Sequence, residues 1–445
     1  MKLSRVSVVL VWVVAVLFQS TVYGDPHQPQ QVHLSFGDDP TKMIVVWNTP
    51  EPTPNASVEY GQLSSASRYA NATMTKFVDG GSLHHVQYIY RAIMTGLVPG
   101  TKYYYRCGSK YGKSKVFSFS AMRNGTDWSP RILLFGDLGV LNGRSLPRIK
   151  NDVTKNHYDA IFHVGDFAYD LQSANGTVGD MFMNLMEPIA ANFSYMTCPG
   201  NHEYAYNFSN YRNRFSMPGD EYGEKMFYSF NIGPAHIISF SSEYYYFLQF
   251  GSVQMFNQYY WLMEDLEEAS RPENRRRRPW IITMAHRPMY CSNSDSDDCT
   301  RRESLIRTGI PFFHILGLEK LFNSYGVDLM IWAHEHSYER LWPLYDRKVY
   351  NGTKSPYDNP PAPVHIITGS AGCDENLDPF LQKPADWSAF RADEYGYTRM
   401  LIQNKTHLHL EQVSDEKGGQ IVDQIWLVRD KHGPFTEQGW RVVTV

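Results

Sequence analysis

Cysteine is scarce in this chain, with five among 445 residues: Cys107, Cys198, Cys291, Cys299 and Cys373. Their spacing does not suggest a metal site built from thiolates. In an oxidising compartment Cys291 and Cys299, which bracket a short polar loop, are the best candidates for a disulfide. The odd count leaves at least one thiol free or available to a second chain, so the oligomeric state stays open, with a homodimer as one option.

A strong charge of one sign is also missing, because the formal net charge is −4. This balance gives no electrostatic reason to expect nucleic acid or an acidic membrane as a partner. After the N-terminus the chain lacks any apolar run long enough to span a bilayer, so we expect no membrane span in the mature protein. Internal repeats are absent as well, which excludes a repeat architecture.

The N-terminus has the pattern of a secretory signal. Lys2 and Arg5 precede a short apolar stretch, Val6–Phe18, and small residues follow before Asp25. We predict that residues 1–24 are a signal peptide and that the protein is secreted or lysosomal. Eight N-x-Ser/Thr sequons support this route and are candidate glycosylation sites: Asn55, Asn71, Asn124, Asn175, Asn192, Asn207, Asn351 and Asn404.

Two regions differ in their hydrophobic pattern. Residues 25–125 contain short β-branched and aromatic runs separated by turns, which predicts a β-sandwich, and residues 97–105 resemble the tyrosine-bearing corner of fibronectin type III domains. Residues 130–445 alternate strand-like runs with helical stretches, such as 146–157 and 253–269, which predicts an α/β domain. In the second stretch a stripe is expected to face the core: Val253, Phe256, Tyr260, Leu262 and Leu266.

Five apolar runs of the α/β region end in residues that can bind metals. Each run is short and rich in β-branched or aromatic residues, as buried strands are. Ligands of open α/β sheets collect at the carboxyl ends of the strands, so we expect the run ends to converge on one site. The candidate ligands are Asp137, Asp166, Tyr169, Asn201, His286, His334 and His336.

This mixture of oxygen and imidazole ligands suits Fe, Mn or Zn. Seven side chains are too many for one ion. They suit two ions that share a bridging carboxylate and lie about 3.5 to 4 Å apart, as in other dinuclear sites. The phenol of Tyr169 has an ordinary pKa of about 10 and must lose its proton to bind well. Because trivalent iron is acidic enough to favour that loss, Tyr169 indicates Fe(III) in one position.

The five segments resemble the metal motifs of the purple acid phosphatases, which are calcineurin-like metallophosphoesterases. The motifs are Asp137-x-Gly139, Gly165-Asp166-x-x-Tyr169, Gly200-Asn201-His202-Glu203, His286 at a strand end, and His334-x-His336. The β-sandwich in front is similar to the long, plant-like form, as found in animals. The resemblance implies a fibronectin type III-like β-sandwich followed by an α/β/β/α sandwich of two mixed sheets.

The resemblance also implies a role for each residue. Asp137, Tyr169 and His336 would hold Fe(III). Asn201, His286 and His334 would hold a divalent Fe, Zn or Mn ion. Asp166 would bridge the two ions, and His202 would bind phosphate and donate a proton to the leaving oxygen.

The activity that follows is an acid phosphatase acting on phosphate monoesters, in small phosphorylated substrates or phosphoproteins. A metal-bound hydroxide would attack phosphorus without a phosphoenzyme. The Arg-His-Gly motif of histidine-dependent acid phosphatases is absent, so that mechanism is not expected.

One segment departs from the plant pattern, in which a pair of histidines follows the lone histidine. Here residues 287–299 contain no histidine and carry an acidic loop instead, with Asp295, Asp297 and Asp298. One of these could act as the proton donor, or the loop could be solvated or cap the site. The departure leaves an alternative open, a phosphodiesterase or nucleotide pyrophosphatase on the same metal scaffold. A secreted binding protein with a degenerate phosphatase half is disfavoured because all seven ligand types and His202 are present.

Overall fold

The computed structural model describes residues 25–63, 67–219 and 226–435. The predicted signal peptide lies outside these residues. Within the described ranges, no helix has the length and apolar character needed to cross a membrane.

The first eight strands form a two-sheet sandwich, as predicted. They are β1 (Gln30–Phe36), β2 (Met43–Thr49), β3 (Ser57–Gly61), β4 (Arg68–Asn71), β5 (Thr73–Val78), β6 (Val86–Met94), β7 (Lys102–Gly108) and β8 (Phe117–Ser120). One sheet contains β1, β2, β6 and β5, and the other has the order β4-β3-β7-β8. The hydroxyl of Tyr103 accepts a hydrogen bond from the Val98 N–H at 2.9 Å, which is the contact expected of a tyrosine corner.

Two large mixed sheets form the α/β domain, which confirms the predicted architecture. The strands of this domain are β9 (Arg131–Phe135), β10 (Ala160–Val164), β11 (Ser194–Cys198), β12 (Tyr228–Ile232), β13 (Ala235–Ser239), β14 (Trp280–Met284), β15 (Gly309–Ile310), β16 (Ile315–Leu316), β17 (Leu329–Trp332), β18 (Tyr338–Leu341), β19 (Leu344–Tyr345), β20 (Lys348–Val349), β21 (Val364–Thr368), β22 (Ser388–Ala392), β23 (Gly396–Ile402), β24 (His407–Ser414) and β25 (Gln420–Val428). One sheet has the order β12-β13-β14-β17-β21-β18-β22. The pairs β15–β16 and β19–β20 are small hairpins.

Seven α-helices accompany these sheets. They are α1 (Leu146–Lys155), α2 (Thr177–Ala190), α3 (Ala205–Arg214), α4 (Val253–Ser270), α5 (Pro272–Arg277), α6 (Leu305–Thr308) and α7 (Leu318–Tyr325), within the described ranges. Short 3₁₀ turns occur at Asn201–Glu203, Ser242–Tyr245, Leu248–Phe250 and Asp298–Thr300. The predicted stripe on α4 was only partly right, because Val253 and Tyr260 are exposed. The buried face of α4 instead contains Met255, Gln258, Leu262, Leu266 and Ala269.

The sandwich and the α/β domain share one continuous sheet, which the sequence did not reveal. Its order is β25-β24-β23-β9-β10-β11-β1-β2-β6-β5. Strand β1 of the sandwich pairs in parallel with β11, with Leu34 opposite Ser194. A partly buried ion pair supports this junction, since Arg214 Nη1 donates to Asp180 Oδ1 at 2.8 Å and Gln31 Nε2 donates to the same oxygen at 3.0 Å. The sandwich therefore extends the sheet that carries part of the predicted site.

The five predicted ligand-bearing runs are β9, β10, β11, β14 and β17. Strands β9, β10 and β11 are parallel and in register, with Ala160 opposite both Ile132 and Ser194. Strands β14 and β17 are parallel neighbours in the second sheet. Apart from Arg131 at the start of β9, all five strands are buried. Their carboxyl ends therefore deliver side chains to one edge of the two packed sheets.

His365 on β21 should make the protein less stable in acid. It is 1% exposed, and burial lowers the pKa of its imidazole to about 3. Its Nδ1 accepts a hydrogen bond from Trp332 Nε1 at 3.1 Å, which requires an unprotonated nitrogen. The unfolded chain takes up this proton below about pH 6.5 while the folded chain does not, so stability is lost as pH falls towards 3.

We expect His365→Gln, which keeps an acceptor for Trp332, to flatten the loss of stability between pH 6 and 4. The slope of the free energy of unfolding against pH should fall by up to about 1.4 kcal/mol per pH unit. Urea unfolding at a series of pH values measures it. His157→Gln, at a side chain that is 56% exposed, is the matched control. An unchanged slope in His365→Gln would contradict the prediction.

Candidate metal centre

The candidate ligands follow their strands in strained backbone conformations. Asp137, Asp166, Tyr169 and His334 all have positive φ, at 57°, 51°, 53° and 71°. Residues with a side chain rarely adopt this region, and such strain clusters at functional sites. All four residues lie in the turns that follow β9, β10 and β17.

One group of donor atoms surrounds His286. Its Nε2 lies 3.0 Å from Asn201 Oδ1, 3.2 Å from Asp166 Oδ2 and 3.2 Å from His334 Nδ1. The four residues come from the ends of β10, β11, β14 and β17. Asp166, His286 and His334 form one of the His/carboxylate groups in the described chain that are close enough to hold an ion.

A second group surrounds the hydroxyl of Tyr169. This oxygen lies 2.8 Å from His336 Nε2 and 3.4 Å from Asp137 Oδ1, and His336 Nε2 lies 3.6 Å from Asp137 Oδ1. Asp137 also reaches the first group, because its Oδ2 accepts the His334 N–H at 3.0 Å. All seven candidate ligands thus belong to one connected cluster.

The spacing of these atoms fits metal binding. Ligand atoms about 2.0–2.1 Å from a tetrahedral metal lie about 3.3 Å from one another. The separations in both groups, 2.8–3.6 Å, are close to this value. The donor types also fit, since imidazole, carboxylate, carboxamide and phenol oxygens suit Fe, Zn or Mn.

The tautomers of the three histidines leave a lone pair facing the cluster. His286 Nδ1 donates to the Val164 carbonyl at 2.9 Å, and His336 Nδ1 donates to the Asn376 carbonyl at 2.9 Å. In the neutral form, which a metal ion would bind, each ring therefore presents an unprotonated Nε2. Burial opposes a charge on His286, but Asp166 and Asp137 raise its pKa to about 10, so a metal ion would replace a proton at this nitrogen. His334 is reversed, because its Nδ1 faces His286 at 3.2 Å. Its Nε2 points away from the cluster and lies 2.6 Å from Asp297 Oδ2 and 2.9 Å from Arg287 Nη1. Such partners fix the orientation of metal-binding histidines.

Burial raises the pKa of the Tyr169 phenol well above its usual value, with Asp137 and Asp166 adding to the effect. Burial, with the neighbouring Asp166, likewise raises the pKa of the Asp137 carboxyl. Burial and the Arg287 guanidinium lower the pKa of His334 to about 3. His334 is thus neutral in mild acid, whereas a phenolate at Tyr169 requires a strong compensating cation.

His202 lies beside the cluster and is ringed by carboxylates. Its Nδ1 is 3.0 Å from Asp170 Oδ1, and its Nε2 is 3.8 Å from Glu375 Oε2 and 4.0 Å from Asp166 Oδ2. Burial opposes a charge on this ring, but Asp166, Asp170 and Glu375 raise the pKa of His202 to about 12. The side chain therefore carries a proton that it can share with an anionic ligand.

Several supporting residues were not found by the sequence analysis. Glu203 accepts hydrogen bonds from the backbone N–H groups of Asp166, Phe167 and Gly200 at 3.0, 3.1 and 2.8 Å. It thereby ties together the turns that follow β10 and β11. Glu203 is the last residue of the motif Gly200-Asn201-His202-Glu203, so the sequence pattern was sufficient to identify it as a candidate. Glu375 and Asp378 had no such signal, because they reach the site from a loop after β21.

The three aspartates of the acidic loop have different surroundings. Asp297 binds His334, as above, and lies 3.5 Å from Arg287 Nη1. Asp298 accepts from the Tyr246 hydroxyl at 3.0 Å and from the Leu305 N–H at 2.9 Å, so it holds the loop in place. Asp295 is exposed. The loop is thus held against the centre through Asp297.

Cys291 and Cys299 form a disulfide at the ends of this loop, as predicted. The other cysteines, Cys107, Cys198 and Cys373, are free and buried. A disulfide between two chains would require one of them to be uncovered, so the structure gives no support to a cysteine-linked dimer.

Three family models match the chain. "Purple acid Phosphatase, N-terminal domain" matches residues 29–121, "Calcineurin-like phosphoesterase" matches residues 130–338, and "Iron/zinc purple acid phosphatase-like protein C" matches residues 362–424. Fold and site together define a metallophosphoesterase preceded by a β-sandwich.

Curated relatives narrow the class. The chain is 55% identical over 408 residues to acid phosphatase type 7 of Mus musculus, covering 91% of this chain and 92% of the relative. It is 30% identical over 416 residues to phosphoenolpyruvate phosphatase of Allium cepa, covering 89% and 81%. The chain belongs to the purple acid phosphatase family.

Solved structures agree on the fold. A purple acid phosphatase from yellow lupin (Lupinus luteus) seeds aligns with a TM-score of 0.75 at 23% identity, over 91% of this chain and 75% of that one. PhoD aligns with a TM-score of 0.59 at 13% identity, over 92% and 93%.

Asp297→Asn should weaken metal retention, because it removes the negative charge that polarises the Nε2–H of His334. We expect affinity for the divalent ion to fall by about 10-fold or more. Metal content after dialysis against graded chelator measures this loss. Asp127→Asn, at an exposed aspartate that belongs to neither group of donor atoms, is the control. Equal retention in both variants would show that Asp297 does not support His334.

Proposed function

We propose that this chain is a secreted or lysosomal acid phosphatase that hydrolyses phosphate monoesters at a centre containing Fe(III) and a divalent Fe, Zn or Mn ion. The observation that carries the proposal is the pair of adjoining donor groups, one built around a phenol and the other around two imidazoles. Two groups of different chemistry suit two ions of different charge.

The proposed ligands of the two ions correspond to the two groups of donor atoms. Asp137, Tyr169 and His336 hold the iron. Asn201, His286 and His334 hold the divalent ion, and Asp166 is shared between them. When bound, the two cations supply charge neutralisation for the phosphate and lower the pKa of the attacking water.

His202 is the proposed phosphate-binding and proton-donating residue. Asp170 holds Nδ1, which leaves Nε2 directed towards Asp166 and the proposed metal bridge. A protonated Nε2 there can bind a phosphoryl oxygen and can protonate the departing alkoxide. No serine or cysteine nucleophile is needed in this scheme, so we expect no phosphoenzyme.

A phosphodiesterase or nucleotide pyrophosphatase activity is the second candidate. The observation that favours it is a cavity of about 400 Å³ beside His334, lined by Tyr246, Arg287, Asp297, Asp298 and Arg301 among others. Its two guanidinium groups and its phenol could accept a second ester group. Plant relatives are expected to carry a histidine pair in this region, and the altered wall changes the leaving groups that fit.

The cellular setting is proposed from the sequence. Residues 1–24 would be removed, residues 25–125 would form the sandwich, and residues 130–445 would form the catalytic domain. Five predicted glycosylation sites are exposed, Asn55, Asn71, Asn124, Asn351 and Asn404, and are the preferred acceptors. Asn175, Asn192 and Asn207 are partly buried and would accept a glycan less readily. Small phosphorylated molecules or phosphoproteins are the proposed substrates.

Tyr169→Phe tests the iron position without relying on activity. We expect the purified holoenzyme to show a visible charge-transfer band from tyrosinate to Fe(III), and we expect Tyr169→Phe to lose it. Absorption spectra and metal content on the same samples measure both. Tyr204→Phe, at a partly exposed tyrosine that stacks on Phe247, should keep the band. A wild-type enzyme with two metals and no band would contradict iron at Tyr169.

His202→Asn tests proton donation. The substitution should lower kcat for glycerol phosphate, a poor leaving group, by about 10²–10⁴-fold. The loss should be smaller for p-nitrophenyl phosphate, whose leaving group needs no proton. Equal losses on both esters would assign His202 to phosphate binding alone.

Comparing phenyl phosphate with bis(p-nitrophenyl) phosphate in the wild type separates the monoesterase from the diesterase.

A further inference from the structure

Three carboxylates that are not candidate ligands of the dinuclear centre meet behind the segment His334–His336. Asp295 belongs to the loop closed by Cys291–Cys299, Glu335 lies between His334 and His336, and Asp378 follows β21. One oxygen from each lies within 4.8 Å of the other two. We call these residues the acidic triad.

Glu335 at the middle of the triad receives no hydrogen bond from an N–H or O–H group of the described residues. Its side chain is 0% exposed, and its Oε2 has no hydrogen-bond partner among the described residues. Its Oε1 lies 3.2 Å from Cys299 Sγ, and a disulfide sulfur has no proton to donate. The side chains whose oxygens lie within 4.8 Å of it in the triad, Asp295 and Asp378, are themselves carboxylates. A buried carboxylate in such surroundings requires a cation or a proton.

A second buried oxygen nearby is also unsatisfied. Asn293 is 1% exposed and its Oδ1 has no partner among the described residues. Its Nδ2 is fixed by Ser337 Oγ at 3.0 Å and by the Asp378 carbonyl at 3.3 Å. The amide therefore links the acidic loop to the two other segments that carry the triad, through Ser337 and Asp378. Unpaired buried oxygens are uncommon, and a missing ion is one of the recognised explanations.

We propose that Asp295, Glu335 and Asp378 bind a hard divalent cation of the calcium class, at a site separate from the dinuclear centre. All the available donors are oxygens, as calcium prefers, whereas the dinuclear centre uses imidazoles. Calcium binds oxygens at about 2.3–2.6 Å, so oxygens on opposite sides of the ion are about 5 Å apart. Three oxygens within 4.8 Å of one another fit one such shell, which water can complete.

Two charged contacts already connect these segments, Asp297 with His334 at 2.6 Å and Asp378 with His336 at 3.6 Å. The cation would add a direct link between the acidic loop, Glu335 and the loop of Asp378. Asp378 Oδ2 already accepts the His336 N–H at 2.7 Å, so the bound ion would stiffen the surroundings of His336. The site goes beyond the proposed phosphatase reaction, and it can exist whether or not that reaction is correct.

Calcium chloride is the probe, added to the metal-loaded holoenzyme near neutral pH. Isothermal titration calorimetry should show one calcium bound per chain, and calcium should raise Tm by about 2 °C or more. Asp295→Asn, at an exposed position that should not affect folding, should weaken binding at least about 10-fold. Asp393→Asn, at another exposed aspartate, is the matched control and should bind as the wild type does.

Glu335→Gln provides the second test. Without calcium its Tm should equal or exceed that of the wild type, because the unpaired charge is gone, and added calcium should no longer raise it. The proposal is overturned if the wild type shows neither heat nor a Tm shift at about 10 mM calcium, well above the weakest dissociation constants of extracellular calcium modules, about 10⁻³ M. In that case a proton shared by Glu335 and Asp295 replaces the ion. Calcium binding that survives both variants also overturns it.

Discussion

The structure depends on holding the buried carboxylates of Asp137 and Asp166 in one space with the donor atoms of His286, His334 and Asn201. Positive charge is needed to offset the repulsion between these carboxylates, and two metal ions would supply it. Burial opposes a charge on His286, but Asp166 and Asp137 raise its pKa to about 10, so a proton on this ring supplies part of that charge when no metal ion is bound. The positive φ values of Asp137, Asp166, Tyr169 and His334 add backbone strain. Fully buried strands on both sheets provide the rigidity that keeps these donors in place.

Support for the centre comes in layers. The nearest layer is made of single hydrogen bonds, from His286 to the Val164 carbonyl, from His336 to the Asn376 carbonyl and from His334 to Asp297. Glu203 forms the next layer by binding three backbone N–H groups of two turns. The sandwich contributes beyond these, because β1 extends the sheet beside β11, the strand that leads to Asn201. A domain that carries none of the candidate ligands thus supports one side of the centre.

The acidic loop changes the chemistry beside the centre. Where the plant pattern has a pair of histidines, this chain has carboxylates, a disulfide and Arg287. Asp297 is committed to His334 and Asp298 to Tyr246 and Leu305, which leaves neither as a free proton donor. His202, ringed by Asp170, Glu375 and Asp166, is the group best placed for that role. Substrate preference on this side of the centre is therefore expected to depend on the cavity wall near Arg287 and Arg301.

The sequence by itself determined the strands, the two-part organisation and the candidate ligands. Short buried strands have a recognisable composition, and the ligand residues follow them in the chain, so both could be read locally. The sequence could not determine the pairing of β1 with β11, because that contact joins residues 160 positions apart. It also could not reveal Asp378 or Glu375, which reach the centre from a distant loop, or the lack of donors around Glu335. These features depend on which segments pack against each other, and only the tertiary structure decides that.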